Sequence, residues 1–400
     1  MHLTRKSTLL KVGASVAAAL TLAACGTSAS SSGSSTTKPS GSSSSSSGVA
    51  YATAQVAKYE SSPSYSDYGP AFNISSVKGD KVLEIPLSSS DPDEAYTDTA
   101  MQNAATAAGL NFQVYNNSGQ VSQWIAGIQL GISEHVAAII LQSINPAQVL
   151  PAVQAAHAAG IPVIAVHQPD PNLYPAGSFN TADYADVAVS VPGPFVQASN
   201  LDAYYVIARS NGKAHVMFIN APGDINSGGE STRFDQTMSN YCPACKVTTV
   251  GVPVPEWSTK IQGNVQSFLL AHPATNWIVP IFDSETEYVI PGVAAQSKAS
   301  TVKIASFNGT PSILQYVRAG TMAMDVSESF TWLGYADIDA TLRVLTHQPN
   351  LPIKDYEAEP LRIITKANIG TDFNASGTFT DGAFPNSSYV KGFTSTWKTS

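Results

Sequence analysis

The chain has 400 residues, of which 43% are hydrophobic and 12% charged, enough apolar material for the cores of about two ordinary domains. Its 21 basic and 29 acidic residues give a formal charge of −8, which excludes the clustered basic surface of a nucleic-acid binder and the charge density of a disordered protein. Three cysteines cannot build a disulfide framework, and 28 glycines with 25 prolines exclude a collagen-like or low-complexity architecture for the whole.

In chain order, Arg5, Lys6 and Lys11 precede an uncharged run from Val12 to Ala24. That run suits the hydrophobic region of a signal peptide and is shorter than the roughly 20 residues a permanent spanning helix needs. It ends in Leu22-Ala23-Ala24-Cys25, small residues before a cysteine, which resembles the lipobox of bacterial lipoproteins. The resemblance implies cleavage after residue 24, acylation of Cys25, and a mature chain anchored by lipid alone on the outer face of the membrane. Removing residues 1–24 takes away three bases and no acids, so the formal charge moves from −8 to −11 and gives no electrostatic attraction to an anionic surface. Between Ser28 and Ser47, 13 of 20 residues are serine, so residues 25–50 are expected to form a flexible tether. No later stretch reaches 18 uninterrupted apolar residues.

Residues 51–80 read as an N-terminal extension, and a regular rhythm starts at Lys81. Strands are predicted at Val82–Pro86, Phe112–Tyr115, Val136–Leu141 and Pro162–Val166. In the helix after the first, Met101, Ala104, Ala105 and Ala108 keep a helical spacing and Gly109 ends it; Asp91, Pro92 and Glu94 have the form of a capping box. The next helix carries Trp124, Ile125, Ile128 and Ile132, and a third runs from about Ala147 to Ala159. After a break around Ser190 to Pro194, strands are predicted at Ala214–Ile219, Lys246–Val250, Trp277–Ile281, Val302–Ser306, Met322–Val326 and Leu361–Ile364. Near-continuous apolar strands alternating with helices mean parallel sheets covered on both faces, and ten strands divide most simply into two α/β lobes.

The order of local motifs resembles the periplasmic sugar-binding proteins of the ribose-binding type, the type I solute-binding fold used by ABC importers. The residues that carry it are Ile85-Pro86-Leu87-Ser88-Ser89-Ser90-Asp91-Pro92, Ala138-Ile139-Ile140-Leu141-Gln142 and Ala159-Gly160-Ile161-Pro162-Val163-Ile164. Further on, Ala271-His272-Pro273, Ile281-Phe282-Asp283 and Ser306-Phe307-Asn308-Gly309-Thr310-Pro311 continue it. The resemblance implies two doubly wound parallel sheets joined by a three-strand hinge. Lobe one then comprises residues 81–184 plus 329–358, and lobe two 185–328 plus 359–400 with a C-terminal extension; Tyr51, Tyr59, Tyr65, Tyr389 and Trp397 of the extensions are expected to pack on the lobes.

Ligands of parallel α/β sheets sit beyond the carboxyl ends of strands, and a sugar asks for carboxylates, amides and rings. Asp91 is a ligand candidate as well as a helix cap, and Tyr96 one turn on is either a pocket wall or a packing residue. His167-Gln168 stands where the family commonly carries Asp-Arg; imidazole and amide still hydrogen-bond hydroxyls, but the change argues against ribose itself. Asp183 aligns with a polar contact of the first crossing. Arg233 follows from Glu230-Ser231-Thr232-Arg233, which resembles the family's R-x-R helix start, and is a ligand group or a structural ion-pairing one. Trp257 offers stacking or core packing, Asp283 a carboxylate at a strand end, and Glu328 a polar group at a hinge crossing. Cys242-Pro243-Ala244-Cys245 is incomplete for zinc, and outside the membrane a local disulfide is favoured. There is no G-x-S-x-G, H-E-x-x-H or P-loop, and the 7 histidines are scattered, so an enzyme is not expected and no cofactor is called for. The expectation is a monomer that captures a small neutral solute, a monosaccharide or related polyol, for an ABC permease. The alternatives are delivery of a furanosyl-type signal to a sensor, and the core of a lactose-repressor-type protein, where a signal peptide stands in place of the DNA-binding headpiece.

Overall fold

A computed structural model describes residues 42–170, 180–352, 359–370, 384 and 388–399. The expected signal peptide, Cys25 and the first part of the tether lie outside these residues. Helix α1 (Ser42–Tyr59) starts inside the stretch expected to be a flexible tether. Serine does not drive this helix; its second half docks. Ala52 and Val56 are buried, and Tyr51 stacks on Tyr241 with ring centroids 4.6 Å apart. A short strand, β1 (Phe72–Asn73), leads into lobe one.

Lobe one contains β2 (Lys81–Ile85), α2 (Pro92–Ala108), β3 (Asn111–Val114), α3 (Val121–Ser133), β4 (Ala138–Gln142), α4 (Leu150–Ala158), β5 (Val163–Gln168) and β6 (Val189–Pro192). The strands lie in the order β3-β2-β4-β5-β6, all parallel. Every residue of β4 and β5 is buried because helices cover both faces, which is why these strands read as unbroken apolar runs. Gly109 ends α2 with φ 79°, a left-handed conformation that glycine adopts without strain. Strand β6 falls where the sequence shows only a break. It pairs with β5, so lobe one extends past the expected boundary at residue 184.

Lobe two contains α5 (Phe195–Arg209), β7 (His215–Asn220), α6 (Ser227–Tyr241), β8 (Lys246–Gly251), α7 (Trp257–Ala271), β9 (Trp277–Pro280), α8 (Thr286–Ala295), β10 (Lys303–Asn308), α9 (Pro311–Ala319) and β11 (Met324–Ser327). The chain returns to lobe one as α10 (Phe330–Leu345), crosses again to β12 (Arg362–Thr365), and finishes in α11 (Tyr389–Thr396) and β13 (Trp397–Lys398). The second sheet has the order β12-β11-β10-β9-β7-β8 and is parallel except for β12, which runs antiparallel to β11.

The backbones of α10 and α2 pack closely because residue 334 is glycine: a Cβ there would stand 2.5 Å from the Met101 nitrogen. The C-terminal segment, expected with lobe two, packs instead on α10. Trp397 Nε1 donates to Asp339 Oδ1 at 2.7 Å, the Asp339 carboxylate also accepts from Arg343 Nε at 2.6 Å, and β13 pairs with β1. Tyr65, Tyr389 and Trp397 are buried there, whereas Tyr51 keeps 43% exposure. Among the described residues no helix is long and apolar enough to cross a membrane.

Candidate functional site

The carboxyl ends of the two sheets face each other across a cleft. Its outer part is a cavity of about 620 Å³. Lobe one contributes the β2–α2 loop with Ser88, Ser90 and Asp91, and Trp124 from α3. Lobe two contributes Asp224 from the β7–α6 loop, Trp257 at the start of α7, and Tyr288 from α8. Both tryptophans are anchored through their indole nitrogens: Trp124 Nε1 donates to the Leu87 carbonyl and Trp257 Nε1 to the Val252 carbonyl, each at 3.0 Å. The two indoles are thereby fixed in walls that different lobes contribute to one cavity.

Further in, a small cavity of about 20 Å³ is lined by Asp91, Asp93, Glu94, Ser143, His167 and Asn308 among others, with Phe195, Phe282 and Trp257 as its apolar side. His167 is the centre of a buried network. Its Nε2 lies 3.1 Å from Glu328 Oε2, its Nδ1 3.3 Å from Ser143 Oγ, and Asn308 Nδ2 donates to Glu328 Oε1 at 2.9 Å. Glu328 lies at the β11–α10 crossing and joins the end of β5 in lobe one to the end of β10 in lobe two. Burial works against a charged imidazole, but Glu328, with Asp93 and Asp337 nearby, outweighs it and raises the His167 pKa. Ser143 (φ 57°), His167 (φ 54°) and Asn308 (φ 141°) all take positive φ at their strand ends. Such conformations cost on the order of 1–3 kcal/mol each and gather where the surrounding structure imposes them, typically at functional sites.

The carboxylates of the cleft are displaced towards their neutral forms. Desolvation, then the neighbouring Asp93, raises Asp91 and Glu94 well above the ordinary carboxylate range. Asp224 is pushed up to about 6 by burial, although its Oδ1 accepts from the Asn226 and Ser227 backbone amides at 2.8 and 2.9 Å. Glu94 Oε2 accepts from the Leu87 amide at 3.1 Å, and Asp91, at the N-cap of α2, makes no side-chain cap. The capping box expected for these two residues therefore does not form; Glu94 reaches back to the preceding loop, and Asp91 faces the cavity.

Of the residues singled out from the sequence, Asp91, His167 and Trp257 line the cleft. Glu328 sits directly behind it, fixed to His167 and Asn308. Gln168 lies outside the cavity lining: its amide nitrogen donates to the Ile144 and Val166 carbonyls and its oxygen accepts from Tyr184. Tyr96 packs against Phe330, with centroids 5.7 Å apart, and does not line the cavity. Asp183 accepts from Asn180 Nδ2 at 2.9 Å in the approach to β6, and the half-buried Arg233 lies on α6, both outside the lining. Asp283 is fully buried, and its two oxygens accept the Thr310 amide and hydroxyl, each at 2.7 Å. It clamps the loop after β10, while Phe282, one residue before it, meets the cleft. Cys242 and Cys245 form a disulfide at the end of α6. Asp93, Glu94, Asn308 and Trp124 also line the cleft without being ligand candidates from the sequence. The local pattern of Glu94 signals a helix cap and that of Trp124 an apolar helix face, whereas Asn308, inside the motif Ser306–Pro311, carries a usable signal.

Several solved structures share this fold. A solute-binding protein from Burkholderia graminis, in complex with D-arabinose, is 18% identical with a TM-score of 0.64 and covers 74% of this chain and 99% of its own. One from Actinobacillus succinogenes with bound D-allose is 19% identical, TM-score 0.62, covering 72% and 98%. One from Agrobacterium vitis, bound with alpha-D-tagatopyranose, is 16% identical, TM-score 0.64, covering 73% and 96%. No curated protein matches the sequence. The periplasmic binding protein domain family matches residues 85–349, the segment that builds the cleft and both sheets apart from most of β2 and the edge strand β12, and the chain belongs to that family, whose ribose-binding-like sugar-binding members its motifs resemble.

Proposed function

We propose that this chain is the extracytoplasmic solute-binding component of an ABC importer, capturing a monosaccharide or related polyol between its lobes. The observation that carries the reading is the 620 Å³ cavity at the facing carboxyl ends of the parallel strands of two sheets, walled by a tryptophan from each lobe and edged with carboxylates, serines and the amides of Gln120 and Gln148. Rings cover the C–H faces of a sugar while carboxylates and amides take its hydroxyls. The crossings between lobes after β6, after β11 and before β12 act as the hinge, and a ligand that touches both lobes favours the closed arrangement. Acylation of Cys25 holds the protein to the membrane, and the closed form is what the permease receives.

A thermal-shift screen over pentoses, hexoses and polyols tests the ligand class; a sugar at 100 times its dissociation constant adds about 2.7 kcal/mol of stability. Small-angle scattering of the same samples is expected to show compaction, and unchanged dimensions at saturation would count against closure. Cys25→Ser is expected to release the protein from membranes with sugar binding intact; a purified native N-terminus without lipid would reject the anchor.

A further inference from the structure

Among the described residues, the side chains lining the two adjoining cavities include five carboxylates, Asp91, Asp93, Glu94, Asp224 and Glu287, and neither a lysine nor an arginine. Of these described lining side chains, His167 alone is able to carry a positive charge, and that charge is already matched by Glu328 at 3.1 Å. Asp91 Oδ1 is buried without a hydrogen-bond partner although its residue lines both cavities. The opposite wall is aromatic, with Trp257 and Phe282 6.2 Å apart, and ring faces attract cations. A wholly neutral sugar supplies hydroxyl donors but no charge to offset these acids as they ionise; a sugar acid or phosphate would be repelled.

We propose that the ligand of this cleft carries a protonated amine: an amino sugar or amino polyol whose ammonium sits among Asp91, Asp93 and Glu94 while its hydroxyls and C–H faces meet Asn308, Ser143 and the rings. This rests on the reading of the cleft as a sugar or polyol site. An ammonium group has three donors and matches several carboxylates at once, and the acidic chain steers cations towards it. The raised pKa values of Asp91 and Glu94 describe the cleft without a cation, and an arriving ammonium favours their ionised forms. Asp93, Glu94 and His167 also place one ligand atom each within 4.8 Å of one another, as a metal site would. That three-ligand site would need a free lone pair on His167, however, and both His167 nitrogens are engaged, by Glu328 and Ser143.

The test is titration calorimetry on the mature chain at pH 7 with matched triplets: D-glucose, D-glucosamine and N-acetyl-D-glucosamine, and the corresponding galactose and mannose series. The expected result is that an amine binds at least tenfold more tightly than both its hydroxyl and its N-acetyl counterparts. Raising salt from 50 to 500 mM is expected to weaken the amine and leave the neutral partners unchanged. Asp91→Asn is expected to reduce the preference below threefold at an unaltered melting temperature; the paired comparison in the unmodified chain stands if that variant fails to fold. Neutral members binding as well as the amines would overturn the inference and leave the sugar-binding reading in place. No binding by any member at millimolar concentration would overturn both. Calcium or zinc chloride alone raising the melting temperature, or amine binding abolished by EDTA, would make the acidic group a metal site and overturn the inference.

Discussion

Trp257 and Asp283 show how differently two residues beyond the strand ends of lobe two can serve one cleft. Trp257 is only 7% exposed and yet borders both cavities, so it is wall and core together. Trp257→Ala is expected to cost roughly 3–5 kcal/mol of stability and to weaken sugar binding as well; Trp257→Phe, which keeps most of the buried area, recovers much of the stability. Thermal denaturation with titration calorimetry on both variants checks this, and an unchanged melting temperature for the alanine variant would contradict its burial. Asp283 has no free oxygen to offer a ligand. Asp283→Ala leaves the buried Thr310 amide and hydroxyl without acceptors, a loss of about 1–3 kcal/mol for an unsatisfied group. Its melting temperature is expected to fall while sugar affinity stays within about twofold, and a large affinity loss at unchanged stability would return Asp283 to the binding surface.

At the scale of elements, the junction of α2 and α10 determines how the first crossing-back helix seats on lobe one. Gly334 sits against the backbone at Ala100 and Met101, 2.5 to 2.6 Å from where a Cβ would be. Backbone cannot yield as a flexible side chain can, so Gly334→Ala must push the helices apart. Overpacking of this kind typically costs 1–3 kcal/mol. Because α10 follows Glu328 directly, the displacement is also expected to loosen the His167–Glu328–Asn308 network and lower ligand affinity. Denaturant unfolding and calorimetry on this variant measure both effects; wild-type values for the two would mean that the helices slide apart freely.

For the molecule as a whole, burial of acids dominates the response to pH. Asp98 is raised to about 7 and Asp224 to about 6, both chiefly by desolvation, and burial likewise raises Glu84, Glu230, Glu285, Asp325 and Asp337 well above the ordinary carboxylate range. In the unfolded chain carboxyls titrate near 4. Between that value and the folded values the native state binds more protons than the unfolded one, so stability falls as pH rises through the window. His167, with its raised pKa, acts in the same sense, since its favourable charge pairing is lost as pH rises through the folded value. The melting temperature is expected to be higher at pH 5 than at pH 8. Scanning calorimetry across that range, in buffers of constant ionic strength, checks the sign; a melting temperature that rises with pH would contradict it.

The α/β rhythm of both lobes was readable from the chain itself because it rests on local causes. Runs such as Val163–Val166 demand burial on both faces, and Gly109 ends a helix wherever it stands; the predicted strands accordingly lie within two residues of β2–β5 and β7–β12 at each end. Family membership was readable for a related reason, since Ser306–Pro311 and its fellow motifs are short and contiguous. Tertiary structure decided the rest. Whether Asp91 caps or faces the cavity depends on Glu94 turning to the Leu87 amide, and whether Asp283 meets ligand depends on Thr310, which arrives from another loop. Strand β6 needs its partner β5 to be a strand at all, and the C-terminal segment chooses lobe one through Asp339 and β1. Periodicity along a chain specifies which face of an element is apolar, but the direction of a polar side chain at a strand end is set by the backbone there and by what packs across from it, and both come from residues distant in sequence.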